Sequence, residues 1–245
     1  MDEHLNYGDY TKRFVTDIPT DLNDERAIHY KSTIPRFPDE AVYIFSFEQG
    51  KMIYADGWEE VLGYRDDEIT MLKIVTSTTP EYASFSQEIN DKGLMFLHQE
   101  TEDLEKYSFI IEVKKIHKNG SHVPLIQRVG VFKAVNGKLT EIIGRFQINR
   151  RITLGKIMRF DIFGPKKEEF EDFLSKLLFQ QFAISGKEKE ALALVAKGYA
   201  FKEIAFELNV SQSAIEKRII PLYKRFGVKS LPQLISFAHE NHILP

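Results

Sequence analysis

Three runs in the middle of the chain alternate apolar and polar residues, which is typical of half-buried β-strands. The runs cover residues 107–118, 121–133 and 138–148. Asn119-Gly120 joins the first two and Asn136-Gly137 the last two, and Asn-Gly favours a type I′ turn because both central residues need a positive φ. The pattern therefore predicts a three-stranded antiparallel meander. One face of its middle strand carries a mostly apolar set: Val123, Leu125, Gln127, Val129 and Val131.

The segment before the meander predicts further strands and helices. Residues 41–47 and 51–55 are rich in β-branched and aromatic residues and predict two strands, and residues 56–69 have the character of a short helix. The following stretch, to residue 106, is expected to be irregular to helical. Residues 1–36 are polar and predict an extension with one short helix near Asp24–Ser32. After residue 150 the sequence shows neither a strand pattern nor an Asn-Gly hairpin.

A connecting segment, residues 151–183, follows the meander. After Gly164-Pro165, apolar residues recur at spacings of three and four, which predicts an amphipathic helix over 166–182. Such a stripe either packs on its own domain or pairs with a second subunit. The residues that form it are Phe170, Phe173, Leu174, Leu177, Leu178 and Phe182.

Residues 184–245 predict four short helices with clear start and stop signals. Ser185 with Glu188, and Ser230 with Gln233, have the spacing of a capping box and open the first and fourth helices. Gly198 ends the first helix, and the second helix covers Lys202–Leu208. A tight turn follows at Asn209-Val210-Ser211. The third helix is capped by Ser211 and runs to Phe226, where Gly227 ends it. The predicted common core is Leu192, Leu194, Val195, Ile204, Ala205, Leu208, Val210, Ile215, Leu222, Phe226, Val228, Leu234 and Ile235.

Composition narrows the class of protein. The chain has no cysteine, which excludes disulfides, thiolate metal sites and cysteine nucleophiles. Its N-terminal residues do not fit a secretory signal, and no apolar run approaches the ~20 residues of a membrane span. We therefore expect a soluble, cytoplasmic protein without a membrane partner.

The net charge of -3 conceals an asymmetry, because residues 183–245 hold nine Lys and Arg against six Asp and Glu. A basic strip within residues 211–230 indicates either a polyanion partner or a solvated helix face.

Many spaced residues in 184–228 match one known pattern. They are Glu190 and Leu192 in the first helix, Gly198 at its end, Lys202-Glu203-Ile204-Ala205 in the second helix, Leu208, Val210 and Ser211 at the turn, Ile215 and Glu216 in the third helix, and Phe226-Gly227-Val228 at its end. This stretch resembles the LuxR-type (NarL/FixJ-like) helix-turn-helix DNA-binding domain. The resemblance covers about a quarter of the chain and implies a small all-α, four-helix domain over 184–245.

The resemblance implies a set of DNA-binding residues. The family's base-facing positions fall on Glu216, Lys217 and Ile220, and Ser211 lies at the turn. Phosphate-facing positions fall on Lys202, Ser213, Arg218, Lys224 and Lys229. Lys and Arg neutralise phosphate, a Glu accepts from cytosine, and an apolar side chain meets the thymine methyl group.

Three positions depart from the family pattern. Ala214 replaces the usual Thr and loses a hydroxyl contact, and Arg218 replaces a common His and keeps or adds positive charge. Pro221 lies inside the third helix, where it removes a hydrogen bond and should bend or locally open the helix. The departure at Pro221 puts in question which residues of the second half of that helix face DNA.

Residues 53–69 and 114–149 resemble the strand, short helix and closing meander of a PAS domain. This resemblance implies an α+β sensor over 37–150, with a five-stranded antiparallel sheet and helices over one face. Such domains sense either by holding a small-molecule ligand between the sheet and the helices or by contact with a protein partner, and the sequence leaves both alternatives open. Four large side chains either line a pocket or form the aromatic core of this domain, and the core is favoured. They are Met52, Tyr54, Trp58 and Phe96. Three histidines are weak candidates for haem ligands: His98, His117 and His122. The last two flank a hairpin and should be exposed. We expect no tightly bound cofactor and no metal.

The combined pattern predicts a one-component transcription regulator that binds specific double-stranded DNA and also contacts RNA polymerase. The alternative is a PAS-based protein-interaction module whose helix-turn-helix no longer binds DNA, which Ala214 and Pro221 would favour. An enzyme is not expected, because no phosphate-binding loop, metal cluster or nucleophile motif is present. A homodimer is expected through the PAS domain and the connecting helix, assisted by a stripe on the fourth helix: Leu231, Leu234, Ile235 and Ala238.

Overall fold

The computed structural model describes residues 10–150, 160–170, 186–241 and 243–244. They form two compact units, one containing the described residues up to Phe170 and the other those from Gly186 onward. The predicted connecting helix falls largely outside the described residues. Its described first turn, residues 167–170, is helical, and the buried Phe170 ring stacks on Phe96 of the first unit at 4.6 Å. This part of the helix therefore packs on its own domain.

The first unit is built around one antiparallel sheet. Among the described residues its strand order is β2-β1-β5-β4-β3-β6. Its strands are β1 (Glu40–Ser46), β2 (Lys51–Asp56), β3 (Ser108–Ile116), β4 (His122–Val135), β5 (Lys138–Ile148) and β6 (Phe160–Phe163). The first five strands and the helices beside them have the PAS-like architecture that the sequence predicted. The alternation in β4 buries Leu125, Gln127, Val129 and Val131, as expected for its inner face.

The sixth strand corrects the sequence prediction, which placed no strand after residue 150. Strand β6 pairs antiparallel with the edge of β3, where Ile162 lies opposite Phe109 and is fully buried. Four residues next to Gly164-Pro165 are too few to establish an alternating pattern, so the strand depends on the free edge that β3 offers.

The two Asn-Gly turns differ. Asn136 and Gly137 have φ of 51° and 69°, as a type I′ turn requires. In the other hairpin only Gly120 has a positive φ, 84°, so the predicted type I′ turn is wrong there. The Gly120 amide donates to the carbonyl of His117 at 2.8 Å, and the Ser121 amide donates to the Asn119 side chain at 3.0 Å. The Asn119 side chain thus stabilises a wider loop in place of the two-residue turn.

Helices cover both faces of this sheet. They are α1 (Glu25–Thr33), α2 (Trp58–Leu62), α3 (Met71–Thr76) and α4 (Pro80–Gln99). Helix α1 agrees with the predicted short helix: Asp24 caps it by accepting from the Arg26 amide at 2.8 Å. Its Tyr30 packs edge-on against Tyr54 and Phe132 on the outer face. Residues of α3 and α4 face the opposite, inner face, where the candidate cavity lies.

The second unit contains four described helices: α5 (Gly186–Ala196), α6 (Phe201–Glu207), α7 (Gln212–Phe226) and α8 (Leu231–Glu240). Every residue of the predicted core is buried or partly buried in one cluster, which also includes Ile219, Phe237 and Leu244. Gly227 ends α7 with φ of 66°, as its position predicted. At the start of α8, Ser230 accepts from the Gln233 amide, whereas the Gln233 side chain accepts from Lys229 instead of closing the predicted capping box. Ser185 lies outside the described residues.

Candidate nucleic-acid interface and sensor cavity

A tight turn orients α7 relative to α6. Asn209 adopts the left-handed conformation with φ of 50°, which Asn tolerates better than most residues, and the Val210 amide donates to the carbonyl of Ala205 at 2.9 Å. The Ser211 hydroxyl accepts from the Ala214 amide at 3.2 Å and begins α7. The two helices therefore meet in the arrangement of a helix-turn-helix.

Helix α7 has one buried face and one exposed face. Its buried residues, Ile215, Ile219, Leu222 and Phe226, recur at spacings of four and three and pack into the core of the unit. On the other side Lys217 and Lys224 are exposed, and Ile220 is 53% exposed. This exposed side thus presents two cations and an apolar side chain next to the turn, and it is the candidate nucleic-acid interface.

The structure places the predicted DNA-binding residues in two groups. Those that are exposed are Lys202, Ser211, Ser213, Lys217, Ile220, Lys224 and Lys229. Glu216 and Arg218 are half-buried, and Glu216 accepts from the Gln212 side chain at 2.9 Å. Lys202 lies on α6 and Lys229 follows α7, so the basic positions of this set come from more than one element.

Not every cation of the basic strip belongs to the exposed surface. The Arg225 guanidinium donates to the Glu188 carboxylate of α5 at 3.2 Å, and both side chains are partly buried. Arg225 therefore joins α7 to α5. Counting charges along the sequence could not separate this arginine from its exposed neighbours.

The proline of α7 does not open the helix. The helix is continuous from Gln212 to Phe226, and Pro221 lies on its exposed side. The helix therefore does not open locally at Pro221, and the alternative, a bend at this residue, stays a prediction. Because Pro221 has no amide hydrogen, the carbonyl of Lys217 loses its donor, and on the solvent side of the helix this carbonyl is accessible to water, which limits the disruption.

The apolar stripe of α8 lies mostly inside its own unit. Leu234 and Ala238 are fully buried, and Leu231 and Ile235 pack against the same core. Leu231 and Ile235 remain partly exposed, and most of the second predicted stripe, on the connecting helix, lies outside the described residues. The expectation that at least one of the two stripes faces a partner, and the assisting role of α8 in a dimer, therefore stay predictions.

A small cavity of about 60 Å³ lies between the inner face of the PAS-like sheet and helices α3 and α4. Apolar side chains form most of its walls, including Phe45 and Phe109 from the sheet and Ile74 and Leu94 from the helices. A mostly apolar cavity with a few polar groups is typical of a small-molecule site.

Two buried polar side chains of the sheet face this cavity. Lys115 is 2% exposed, and its ammonium donates to the carbonyl of Ile74 and to the Thr78 hydroxyl at 3.0 Å. Burial without a neighbouring carboxylate lowers the pKa of Lys115 to about 7. Gln127 is 5% exposed, and its Oε1 has no hydrogen-bond partner among the described residues. The cavity thus offers a donor and an unused acceptor.

The aromatic residues singled out in the sequence lie elsewhere. Met52, Tyr54 and Trp58 are at most 1% exposed and form core, and Phe96 packs on Phe170 and Tyr107. The core interpretation agrees with the structure. Lys115 was missed, although alternation along β3 places it on the same face as the apolar Phe109, Ile111 and Val113.

The three histidines do not form a metal site. His122 is exposed, but His117 is half-buried against Gly63, so its predicted exposure is wrong. The ring of His98 packs among Tyr10, Phe14 and Phe47, and burial lowers its pKa. Among the described residues no cluster of His, Asp and Glu could hold a metal ion, and no helix is long and apolar enough to cross a membrane.

Known proteins resemble both units. Residues 183–238 match the family of bacterial regulatory proteins, luxR family, so the second unit is a LuxR-type helix-turn-helix domain. The oxygen regulatory protein NreC of Staphylococcus aureus is 39% identical over 61 residues, which make up 25% of this chain and 28% of the relative. The chain therefore matches just over a quarter of the length of this curated relative.

Solved structures show similarity at low sequence identity. A Vibrio cholerae VqmA dimer is similar over 89% of this chain and 88% of its own, with 16% identity and a TM-score of 0.37. A phage VqmA in complex with DPO covers 91% and 92%, with 17% identity and a TM-score of 0.37. The PAS domain of a Colwellia psychrerythraea protein covers 53% of this chain and 98% of its own, with 15% identity and a TM-score of 0.37. These three TM-scores lie below 0.5, so the PAS-like description rests on the strand order and helices of the unit itself.

Proposed function

We propose that this protein is a one-component transcription regulator that binds double-stranded DNA through α7, under the control of its PAS-like unit. The observation that carries the proposal is the exposed face of α7, with Lys217, Ile220 and Lys224, directly after the tight turn from α6. A helix held by its buried face and presented by such a turn fits the major groove. The continuous helix at Pro221 favours DNA binding over an interaction module that has lost it.

The proposed contacts divide by chemistry. Glu216, Lys217 and Ile220 would face base edges, where they recognise sequence. The phosphate-facing set is Lys202, Ser213, Arg218, Lys224 and Lys229, which fixes position and supplies affinity. Ser211 joins this set only through its hydroxyl hydrogen, since its oxygen already caps α7.

Selection from random duplex DNA with the full-length protein tests the proposal. Bound sequences should converge on one motif, and affinity for it should fall steeply as salt rises, because phosphate contacts release counterions. Selected pools without a shared motif, or an affinity that does not change with salt, would instead support the interaction module.

The PAS-like cavity is the proposed sensor site. Its apolar walls, the Lys115 ammonium and the free Gln127 carbonyl oxygen suit a small, mainly apolar molecule with an acceptor and a donor. Native mass spectrometry of the purified protein should detect a retained molecule, and Gln127→Leu should reduce its retention. Equal retention by both proteins would remove Gln127 from the site.

The regulator is further proposed to act as a homodimer in the cytoplasm, through its PAS-like unit and connecting helix. One recognition helix reads only a few base pairs, which gives too little specificity against a genome. Sedimentation should show a dimeric full-length protein and a monomeric fragment of residues 183–245. A full-length monomer at tens of micromolar would contradict this assembly.

RNA polymerase is the proposed protein partner of the second unit. Phe206 on α6 is 88% exposed and Tyr199 is 45% exposed, which is unusual for large aromatic residues. Phe206→Ala should lower transcription in a purified system without changing operator affinity. A parallel loss of affinity would assign Phe206 to DNA contact instead.

A further inference from the structure

The described chain begins with a segment that lies across the helices of the PAS-like unit. We name residues 10–17 the N-terminal strap. Its first anchor is Asp91 of α4, whose Oδ1 accepts from both the amide and the hydroxyl of Thr11, at 2.6 and 2.7 Å. Its second anchor is at α3, where the Leu72 amide donates to the Thr16 carbonyl at 3.1 Å and Thr70 donates to Asp17 at 2.8 Å.

The strap forms one wall of the sensor cavity. Thr11, Phe14 and Val15 line the cavity together with the sheet and the helices. The Phe14 ring packs against Phe47 at 5.0 Å and His98 at 5.7 Å between centroids. Removing the strap would therefore open this side of the cavity to solvent.

The cavity is too small to hold a ring-sized molecule unless one of its walls moves. It measures about 60 Å³ in this structure. An engineered cavity that binds benzene measures about 150 Å³. A small aromatic ring therefore does not fit the cavity as it stands. Water is small enough to occupy it, at about 10–15 Å³ per molecule on this measure.

The strap is held less firmly than the sheet wall of the cavity. Phe45 is buried in β1, which is paired with β2 on one side and with β5 on the other. In contrast, no side chain of residues 10–17 is fully buried. Few buried contacts give a segment a low free energy of local opening. Because the Asp91 carboxylate accepts two hydrogen bonds from one residue of the strap, its loss should release the segment more than any other single change.

We propose that the N-terminal strap is the entrance of the sensor cavity and that Asp91 is its latch. The inference rests on the proposed function of the cavity as a small-molecule site. A ring-sized ligand enters by displacing the strap, and its binding holds Phe14 away from its closed position among Phe47 and His98. Ligand binding thereby changes a segment on the surface of the unit.

A thiol probe tests the latch without knowledge of the ligand. The chain has no cysteine, so Ser86→Cys places a single thiol at the cavity wall. The rate of its reaction with methyl methanethiolsulfonate reports how often the cavity opens. Adding Asp91→Ala, which removes the Oδ1 that accepts both hydrogen bonds of Thr11, should raise this rate at least tenfold. Asp67→Ala, which removes an exposed carboxylate paired with Arg65, should leave it unchanged.

Hydrogen exchange in the otherwise unchanged protein provides a second measurement if the cysteine variant does not fold. Asp91→Ala should speed exchange of the Leu72 amide, which the strap protects, and leave exchange of the Phe45 amide in β1 unchanged. Equal thiol rates with and without Asp91→Ala, an unreactive thiol in both, or acceleration of both amides would overturn the proposal. A latch confirmed in a protein that retains no small molecule would contradict the sensor function alone.

Discussion

The guanidinium of Arg225 lies 3.1 Å from the carboxylate of Glu188 and joins the last turn of α7 to the first turn of α5. Both side chains are partly shielded from water, so the pair positions the recognition helix within its own unit. Lys217 and Lys224 on the same helix are exposed. The basic residues of α7 thus include Arg225, which positions the helix, and two exposed lysines that are available for the proposed DNA contact.

Lys217→Ala should weaken binding to the selected operator by about 1–3 kcal/mol and relax its sequence preference, since a lost base contact removes discrimination. Lys202→Ala should weaken all duplexes about equally, as a phosphate contact would. Fluorescence anisotropy with operator and scrambled duplexes at two salt concentrations measures both. Lys189→Ala on α5 is the control with the same charge change. An operator affinity of Lys217→Ala equal to that of the control would contradict the base-facing assignment.

Arg225→Ala should act on stability. Losing a partly buried ion pair leaves Glu188 without this partner and should lower the free energy of unfolding of the second unit by about 1 kcal/mol. Urea titrations of the full chain, followed by the loss of α-helical signal, measure this effect. Unchanged stability together with a reduced salt dependence of DNA binding would move Arg225 to the DNA-facing set.

Pro221→Ala should stabilise α7, because Ala restores the missing backbone hydrogen bond at a solvent-exposed position and has the highest helix propensity. The expected gain is about 1–3 kcal/mol. Pro232→Ala is the matched control: Pro232 lies in the first turn of α8, where proline is well tolerated, so little or no gain is expected there.

Operator affinity distinguishes two roles for Pro221. If its geometry is required for reading DNA, Pro221→Ala should lower affinity or change the preferred sequence despite the gain in stability. Higher affinity with an unchanged preference would show that the proline is only tolerated. The comparison uses the same duplexes as the Lys217 experiment.

Local signals allowed much of the fold to be predicted from the sequence. The alternation in β4 and the turn at Asn136-Gly137 depend only on neighbouring residues, and the structure agrees with both. The helix-turn-helix was predictable for the same reason, because Ser211 and Gly227 mark the ends of α7 through backbone chemistry. The identity of its DNA-facing residues stays a prediction, since exposure alone does not test it.

Features that depend on distant contacts were not predictable. Strand β6, for example, forms because β3 has a free edge. The cavity requires α4 and the N-terminal strap to pack over the sheet, and no periodicity along the chain indicates that packing. Lys115 was the one residue through which the sequence could have indicated the cavity, because it is a lysine on an otherwise apolar strand face.

Gly144→Ala should destabilise the PAS-like unit. Gly144 lies opposite Tyr43 in the β1–β5 pair, and a Cβ there would lie 2.1 Å from the buried Tyr43 ring. Overpacking of this kind costs about 1–3 kcal/mol. Gly93→Ala on α4 is the control, because its Cβ would meet Phe170 at an ordinary 3.5 Å and the helix would gain propensity. Urea titrations should give opposite signs for the two variants, and a neutral Gly144→Ala would show that the Tyr43 ring moves freely.

Lys115 should make the stability of the PAS-like unit depend on pH. Burial lowers its pKa to about 7 in the folded protein, whereas an unfolded lysine keeps its ordinary value of about 10.4. Between these values the unfolded chain binds the additional proton, so stability rises as pH increases from about 7 toward 10. Below about pH 7 both states are protonated, and this dependence ends.

Lys115→Met should remove that dependence and stabilise the unit, with the larger gain at the lower pH. The free energy of unfolding of the variant should exceed that of the natural protein, and at about 1.4 kcal/mol per pKa unit this excess should shrink by about 2–3 kcal/mol between pH 7 and pH 9.5. Urea titrations at the two pH values measure it, and Lys138→Met, an exposed lysine of β5, is the control that should show no such change. An advantage of Lys115→Met that stays constant across this range would mean that Lys115 remains charged in the folded protein, and its hydrogen bonds to Ile74 and Thr78 would then have to stabilise a buried ammonium.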